Sequence, residues 1–303
     1  MSRLSRRAAL SLFPAGALAL GVGGAAAARA DTQPQVRYHG YAAADWAKPY
    51  ARFMAARTRP APDPVLVAYA GPPTPADRIP EFASLTKGLA PTGYFPIETG
   101  YGKTTSGASW VAVHTLMPGV TAAMWDWWFG WHSIEAARYK LWHPDAHMFA
   151  ELAEDRTNAP IPDRQKYVGN ISYVDGYIGP KLQQLAIAFE DPVAHGFTVP
   201  PGHTIVFGRV GSSVAPTDLG WLAHQVRPIP GGCEMRSRFY LDIYGLHTPN
   251  PRAAADAIER GASVDPADLV LGLDVARNLL MHCGQEMHHL AGFLPAIHQA
   301  FAR

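Results

Sequence analysis

The spacing of apolar residues changes once along this chain, and that change constrains the fold more than any single motif. From Lys103 to about residue 245, apolar residues alternate with others in runs cut by Pro, Gly and Asp. The runs are S-W-V-A-V-H-T-L-M-P (109–118), Tyr167–Tyr177, Leu182–Phe189, His203–Val210, Leu222–Pro228 and Arg236–Gly245. Period two marks strands with two different faces. Beyond residue 270 the period lengthens: Leu271, Val275, Leu279, Glu286, Leu290 and Phe293 fall on one face of a helix. Several antiparallel strands followed by one long amphipathic helix make an α+β fold. The helix and a curved sheet can bury their apolar faces only against each other, and a pocket forms between them.

Other segments follow from their punctuation. Residues 31–100 are rich in Pro and Ala, with a helix expected over Tyr41–Thr58 and irregular runs such as A-G-P-P-T-P-A-D. Pro118-Gly119 ends the first strand. The Trp-heavy T-A-A-M-W-D-W-W-F-G-W-H then reads as helix, running on into S-I-E-A-A-R-Y-K-L-W-H-P-D-A-H. Asn250-Pro251 opens a short helix that Gly261 closes. Asp265-Pro266 supplies an N-cap and first-turn proline for the long helix, with Asp268 suited to its positive end.

The N-terminus reads as an address. Basic Arg3, Arg6 and Arg7, an apolar Gly/Ala-rich run and Ala28-Arg29-Ala30 before Asp31 have the layout of a cleaved export signal over residues 1–30. Arg6-Arg7 after Ser5 matches the twin-arginine type, with an ordinary secretory signal as the alternative. Either sends the protein to the periplasm or outside the cell. The apolar run is too short for a membrane anchor. Without those 30 residues, 22 basic residues face 25 acidic ones, a net charge of about −3, which gives nucleic acid no electrostatic footprint. Cys233 and Cys283 either pair in an oxidising compartment or are buried thiols.

Three segments carry chemistry. In M-H-C-G-Q-E-M-H-H-L (281–290), His282 and Glu286 are four apart, so they project from one helical face. They are either metal ligands or a solvated stabilising pair. In R-Y-K-L-W-H-P-D-A-H (138–147), Pro144 stiffens a turn holding His143 and His147. In Y-V-G-N-I-S-Y-V-D-G-Y-I-G (167–179), Asp175 is a carboxylate within an apolar strand, either partnered or a turn residue before Gly176. Two histidines, two carboxylates and an open position make a catalytic zinc site, although mixed His/carboxylate ligation also accepts manganese or iron.

Together, W-D-W-W-F-G-W-H, R-Y-K-L-W-H-P-D-A-H, Y-V-G-N-I-S-Y-V-D-G-Y-I-G and H-C-G-Q-E resemble the 2,4-diacetylphloroglucinol hydrolase family, which includes phloretin hydrolase, over about residues 95–300. The resemblance implies a zinc-dependent hydrolase that cleaves the C–C bond between an acyl group and a polyhydroxylated aromatic ring. It implies a helix-grip domain of Bet v 1 type over 101–303, with residues 31–100 as a helical addition that helps form a homodimer. Carried over, the Zn2+ ligands are His147, Asp175, His282 and Glu286. Asp175 stands where the family has a glutamate; if that glutamate aligns with Gly176 a ligand is missing, and His143 and His132 are the reserves. Tyr139, His224 and Tyr240 are the implied pocket residues, with His224 or a tyrosine managing a proton while metal-bound water attacks the carbonyl. The partner is a small aromatic acyl ketone, with no nucleic acid or membrane. A metal-free carrier of aromatic ligands and a metal hydrolase of other specificity are the alternatives.

Overall fold

The computed structural model describes residues 40–215, 217–246 and 271–302. The export-signal reading, the 251–261 helix and the Asp265-Pro266 cap lie outside these. Tyr38–Arg303 cluster as one unit. Among the described residues its helices and strands are α1 (Asp63–Ala70), α2 (Leu85–Gly88), β1 (Gly100–Lys103), β2 (Ser109–Pro118), α3 (Ala122–His132), α4 (Ala136–Trp142), β3 (His147–Leu152), α5 (Asp163–Tyr167), β4 (Ile171–Ile178), β5 (Lys181–Glu190), β6 (Thr204–Ser212), β7 (Thr217–Ile229), β8 (Gly232–Leu246), α6 (Leu273–Ala291) and α7 (Leu294–Phe301).

The eight strands form one sheet, β1-β2-β8-β7-β6-β5-β4-β3, antiparallel at every step. Helix α6 packs on β1, β2 and β4, so the sheet grips it as a helix-grip domain. Strand alternation sorts the side chains. Val111, Val113, Val206, Val210, Met235 and Phe239 join the core shared with α3, α4 and α6, while Trp110, Ala112, Ile205, Phe207, Ala223 and Tyr240 form a second core on the other face. Ile79, Leu85 and Leu89 cover that second core. Both faces are therefore apolar, which a sheet exposed on one side would not show.

Local chemistry places the ends. The Thr121 hydroxyl accepts from Met124 N and caps α3. Gly220, at φ +145°, sits in the bulge where β7 shifts register against β8, and a Cβ there would lie 2.1 Å from Tyr240 O. On the second face, Arg236 and Arg238 are fully buried and share the Glu98 carboxylate.

Two expectations differ from the structure. Residues 41–58 form 3-10 turns at Ala43–Ala47 and Ala51–Phe53 rather than a helix. Lys48, before Pro49, is held extended at φ −72°, ψ 146°, as a residue preceding proline is. The long helix begins at Leu273 with Gly272 at its N-cap. Cys233 and Cys283 are both free and buried, and no helix among the described residues is long and apolar enough to cross a membrane.

Candidate metal centre

Helix α4 delivers its last turn to His143-Pro144, and Ala146 and His147 both donate backbone N–H groups to His143 O, at 3.0 and 2.8 Å. That tight turn starts β3 at His147, opposite Gly176 of β4. From the other side, α6 presents His282 and Glu286 one turn apart on its buried face. The three side chains meet. His147 Nε2 lies 3.3 Å from His282 Nε2 and 3.5 Å from Glu286 Oε2, and His282 Nε2 lies 3.6 Å from that same oxygen. Among the described residues this is the one group of three or more His, Cys, Asp or Glu whose donor atoms all lie within 4.8 Å of one another.

The triangle fits a metal ion. Ligand atoms about 2.0–2.2 Å from a tetrahedral centre stand about 3.3–3.6 Å apart. Two imidazole nitrogens and one carboxylate oxygen are a zinc donor set with a position left open. The surroundings orient the donors. His147 Nδ1 is 3.0 Å from the Tyr139 carbonyl, which only accepts, so Nδ1 carries the proton and Nε2 offers its lone pair. His282 bonds the backbone of Tyr177, and Glu286 bonds the Cys283 thiol. Burial, with the neighbouring imidazoles, holds His147 and His282 well below the usual histidine range. Burial pushes Glu286 well above the usual carboxylate range. A buried cation is what lets such a carboxyl ionise between neutral imidazoles.

The reserve histidines stay outside the triangle. His143 stacks on His282 with centroids 4.6 Å apart, and its Nδ1 meets Thr58 Oγ1 at 2.9 Å. His132 Nδ1 bonds Trp128 O at 2.7 Å. Asp175 is not a ligand either, which corrects the expected fourth position. In β4 the even-numbered residues Ser172, Val174, Gly176 and Ile178 line the cavity, so Asp175 points to the opposite face, where Gln184 donates to it at 3.3 Å.

A cavity opens beside the triangle, with walls that include Phe129, Trp142, Val174, Leu185, Phe189 and Phe239. Tyr139 lines it and stacks on His147 with ring centroids 3.7 Å apart and planes 5° from parallel. His224 also lines it. Its Nδ1 is 2.8 Å from Ser237 Oγ, and burial lowers its pKa to about 3, so it is a neutral imidazole. Tyr240 is a correction: it belongs to the second core, and its hydroxyl donates to Pro80 O at 2.9 Å, so it never meets the cavity. Within the Trp-heavy run only Phe129 and His132 line the cavity, and the tryptophans there pack in the core. Sequence reasoning missed Gln183, an inward residue of β5. Its signal was parity, since it shares a face with Leu185, Ile187 and Phe189.

The model of the DAPG hydrolase PhiG domain family matches residues 79–299. The chain belongs to that family. The match spans every described strand and all three donors. A 2,4-diacetylphloroglucinol hydrolase of Pseudomonas sp is 26% identical over 265 residues, covering 84% of this chain and 88% of the relative. A phloretin hydrolase of Eubacterium ramulus is 30% identical over 207 residues, covering 66% of this chain and 70% of the relative. Among solved structures, Ara h 8.0201 is 10% identical with a TM-score of 0.30, over 58% of this chain and 99% of that one. Human STARD10 is 11% identical with a TM-score of 0.29, over 73% and 89%.

Proposed function

We propose that this member of the DAPG hydrolase family is a metal-dependent hydrolase that splits an acyl group from a polyhydroxylated aromatic ring, releasing a carboxylic acid and the free phenol. One observation carries the reading: three converging donors, 3.3–3.6 Å apart, sit at the side of a cavity whose walls are mostly apolar. The names of its relatives, a diacetylphloroglucinol hydrolase and a phloretin hydrolase, supply the substrate class.

Zinc is the ion the donor set suits, and when bound it supplies a Lewis acid for the carbonyl and a water that ionises near neutral pH. The chain does the rest. His147, His282 and Glu286 hold the ion, with the Tyr139 carbonyl fixing the His147 tautomer. The apolar walls take the ring and exclude water. An aryl carbanion is too poor a leaving group, so the ring carbon bearing the acyl group must gain a proton before or as the C–C bond breaks. The imidazole of His224, anchored to Ser237 and neutral at rest, is the group on the wall suited to relay that proton from a ring hydroxyl to the carbon. Water adds to the carbonyl carbon, the bonding pair leaves with the protonated ring as its enolate, which is the aromatic phenolate, and the proton released by the water converts that oxygen to the free phenol. With residues 1–30 as an export signal, the reaction runs in the periplasm or outside the cell.

The test is metal content and turnover measured on one preparation. About one zinc per chain, with an acylphloroglucinol cleaved to acid and phenol, is the expected result. Ligand binding with no metal and no cleavage is the result of a carrier protein and overturns the proposal.

A further inference from the structure

Three residues form one line across neighbouring strands. His147 of β3 is paired with Gly176 of β4, and Gly176 with Gln183 of β5. The metal ligand is at one end, and Gly176 and Gln183 both line the cavity. Strands lie about 4.8 Å apart, so the missing side chain at Gly176 leaves a gap between the ligand histidine and the glutamine amide. A Cβ on Gly176 would stand 3.6 Å from His147 Cδ2 and 3.8 Å from the Tyr139 hydroxyl oxygen, in ordinary contact. The gap is therefore bounded by the Ala146 carbonyl, the His147 ring and the Tyr139 phenol, with Gln183 paired beside it on the neighbouring strand.

Gln183 is 9% exposed, and its amide has no hydrogen-bond partner among the described residues. Its neighbours on that face, Leu185 and Ile187, are apolar. Buried primary amides are almost always satisfied, so one left open in a cavity wall is free to pair with water or with a polar group of a ligand. The amide both donates and accepts, as a phenolic hydroxyl does.

We propose that the Gly176–Gln183 pair is a slot for a ring hydroxyl ortho to the acyl group. This rests on the hydrolase reading, since the carbonyl must face the triangle for its ortho neighbour to enter the gap. A hydroxyl farther round the ring faces the apolar wall instead. The slot makes the enzyme selective for ortho-hydroxyaryl ketones.

The test compares 2,6-dihydroxyacetophenone with its 3,5 isomer on zinc-loaded protein, with dissociation constants from calorimetric titration. The wild type should favour the ortho compound by about tenfold or more, the worth of one good hydrogen bond. Gln183→Leu, an apolar residue in an apolar wall that folds without difficulty, should bring the ratio near one with zinc content unchanged. Gly176→Val should do the same by filling the gap. A preference that is absent from the wild type, or that persists in Gln183→Leu, overturns the slot. Acylphloroglucinol turnover on the same samples separates the two claims: a wild type that cleaves with no ortho preference sinks the slot alone, and one that binds with preference but never cleaves sinks the hydrolase reading.

Discussion

His147 and His282 are 135 positions apart in the chain, yet their Nε2 atoms stand 3.3 Å from each other. Two neutral imidazoles gain little from such an approach, whereas a cation shared between them would account for it. If so, Glu286→Gln and His282→Ala should each weaken zinc binding by more than about 100-fold, beyond the loss seen when only a supporting partner is removed. Zinc retention during dialysis against a chelator checks this, and turnover should fall in step with it.

Zinc should also stabilise the fold. A ligand present at 100 times its dissociation constant contributes about 2.7 kcal/mol, or roughly 5–10 °C in Tm for a domain of this size. Thermal melts of the wild type with and without zinc should show that shift. Melts of His282→Ala should show none.

His224→Ala should keep its zinc and lose about 10²–10⁴-fold in turnover, the usual worth of a general acid or base. Elemental analysis beside steady-state rates separates this from loss of the metal.

Two residues should prove dispensable for chemistry. Asp175→Asn should leave zinc content unchanged, because the side chain points away from the triangle. Tyr240→Phe should cost about 0.5–1.5 kcal/mol through its lost bond to Pro80, with KM and kcat at wild-type values. Denaturant unfolding and steady-state kinetics read both.

Acid sensitivity should come partly from the second core. Burial pushes the Glu98 carboxyl up, but hydrogen bonds and charge from Arg236 and Arg238 outweigh it and bring its pKa to about 2, from an ordinary 4.5. A depressed carboxylate stabilises the fold above its unfolded pKa, so this contribution is whole above about pH 5. It fades as the pH falls through 4.5 and is lost through about 2. Glu98→Gln should cost about 3–5 kcal/mol at pH 7 by stranding two buried guanidinium groups, and its stability should vary less with pH across that window.

The strand runs and the ligand helix were legible because their periods differ, and the spacing of His282 and Glu286 placed both on one face. The errors share a cause. Period two tells which residues of a strand share a face, but not which face looks inward. Here the sheet is covered on both sides, so R-F-Y-L-D alternates Phe239 and Leu241 on one core with Tyr240 on the other, and nothing in composition distinguishes them. In β4 the partner strand sets the register: pairing with His147 turns Gly176 inward and Asp175 outward. Strand β3 went unseen because it is short and follows a proline turn, and β1 is shorter still.

The most direct measurement is a crystal structure of the zinc-loaded protein with an anomalous map at the zinc edge. The account predicts a single strong peak about 2.0–2.2 Å from His147 Nε2, His282 Nε2 and Glu286 Oε2, with Asp175 distant from it. A peak bound elsewhere, or none at this triangle, would contradict it.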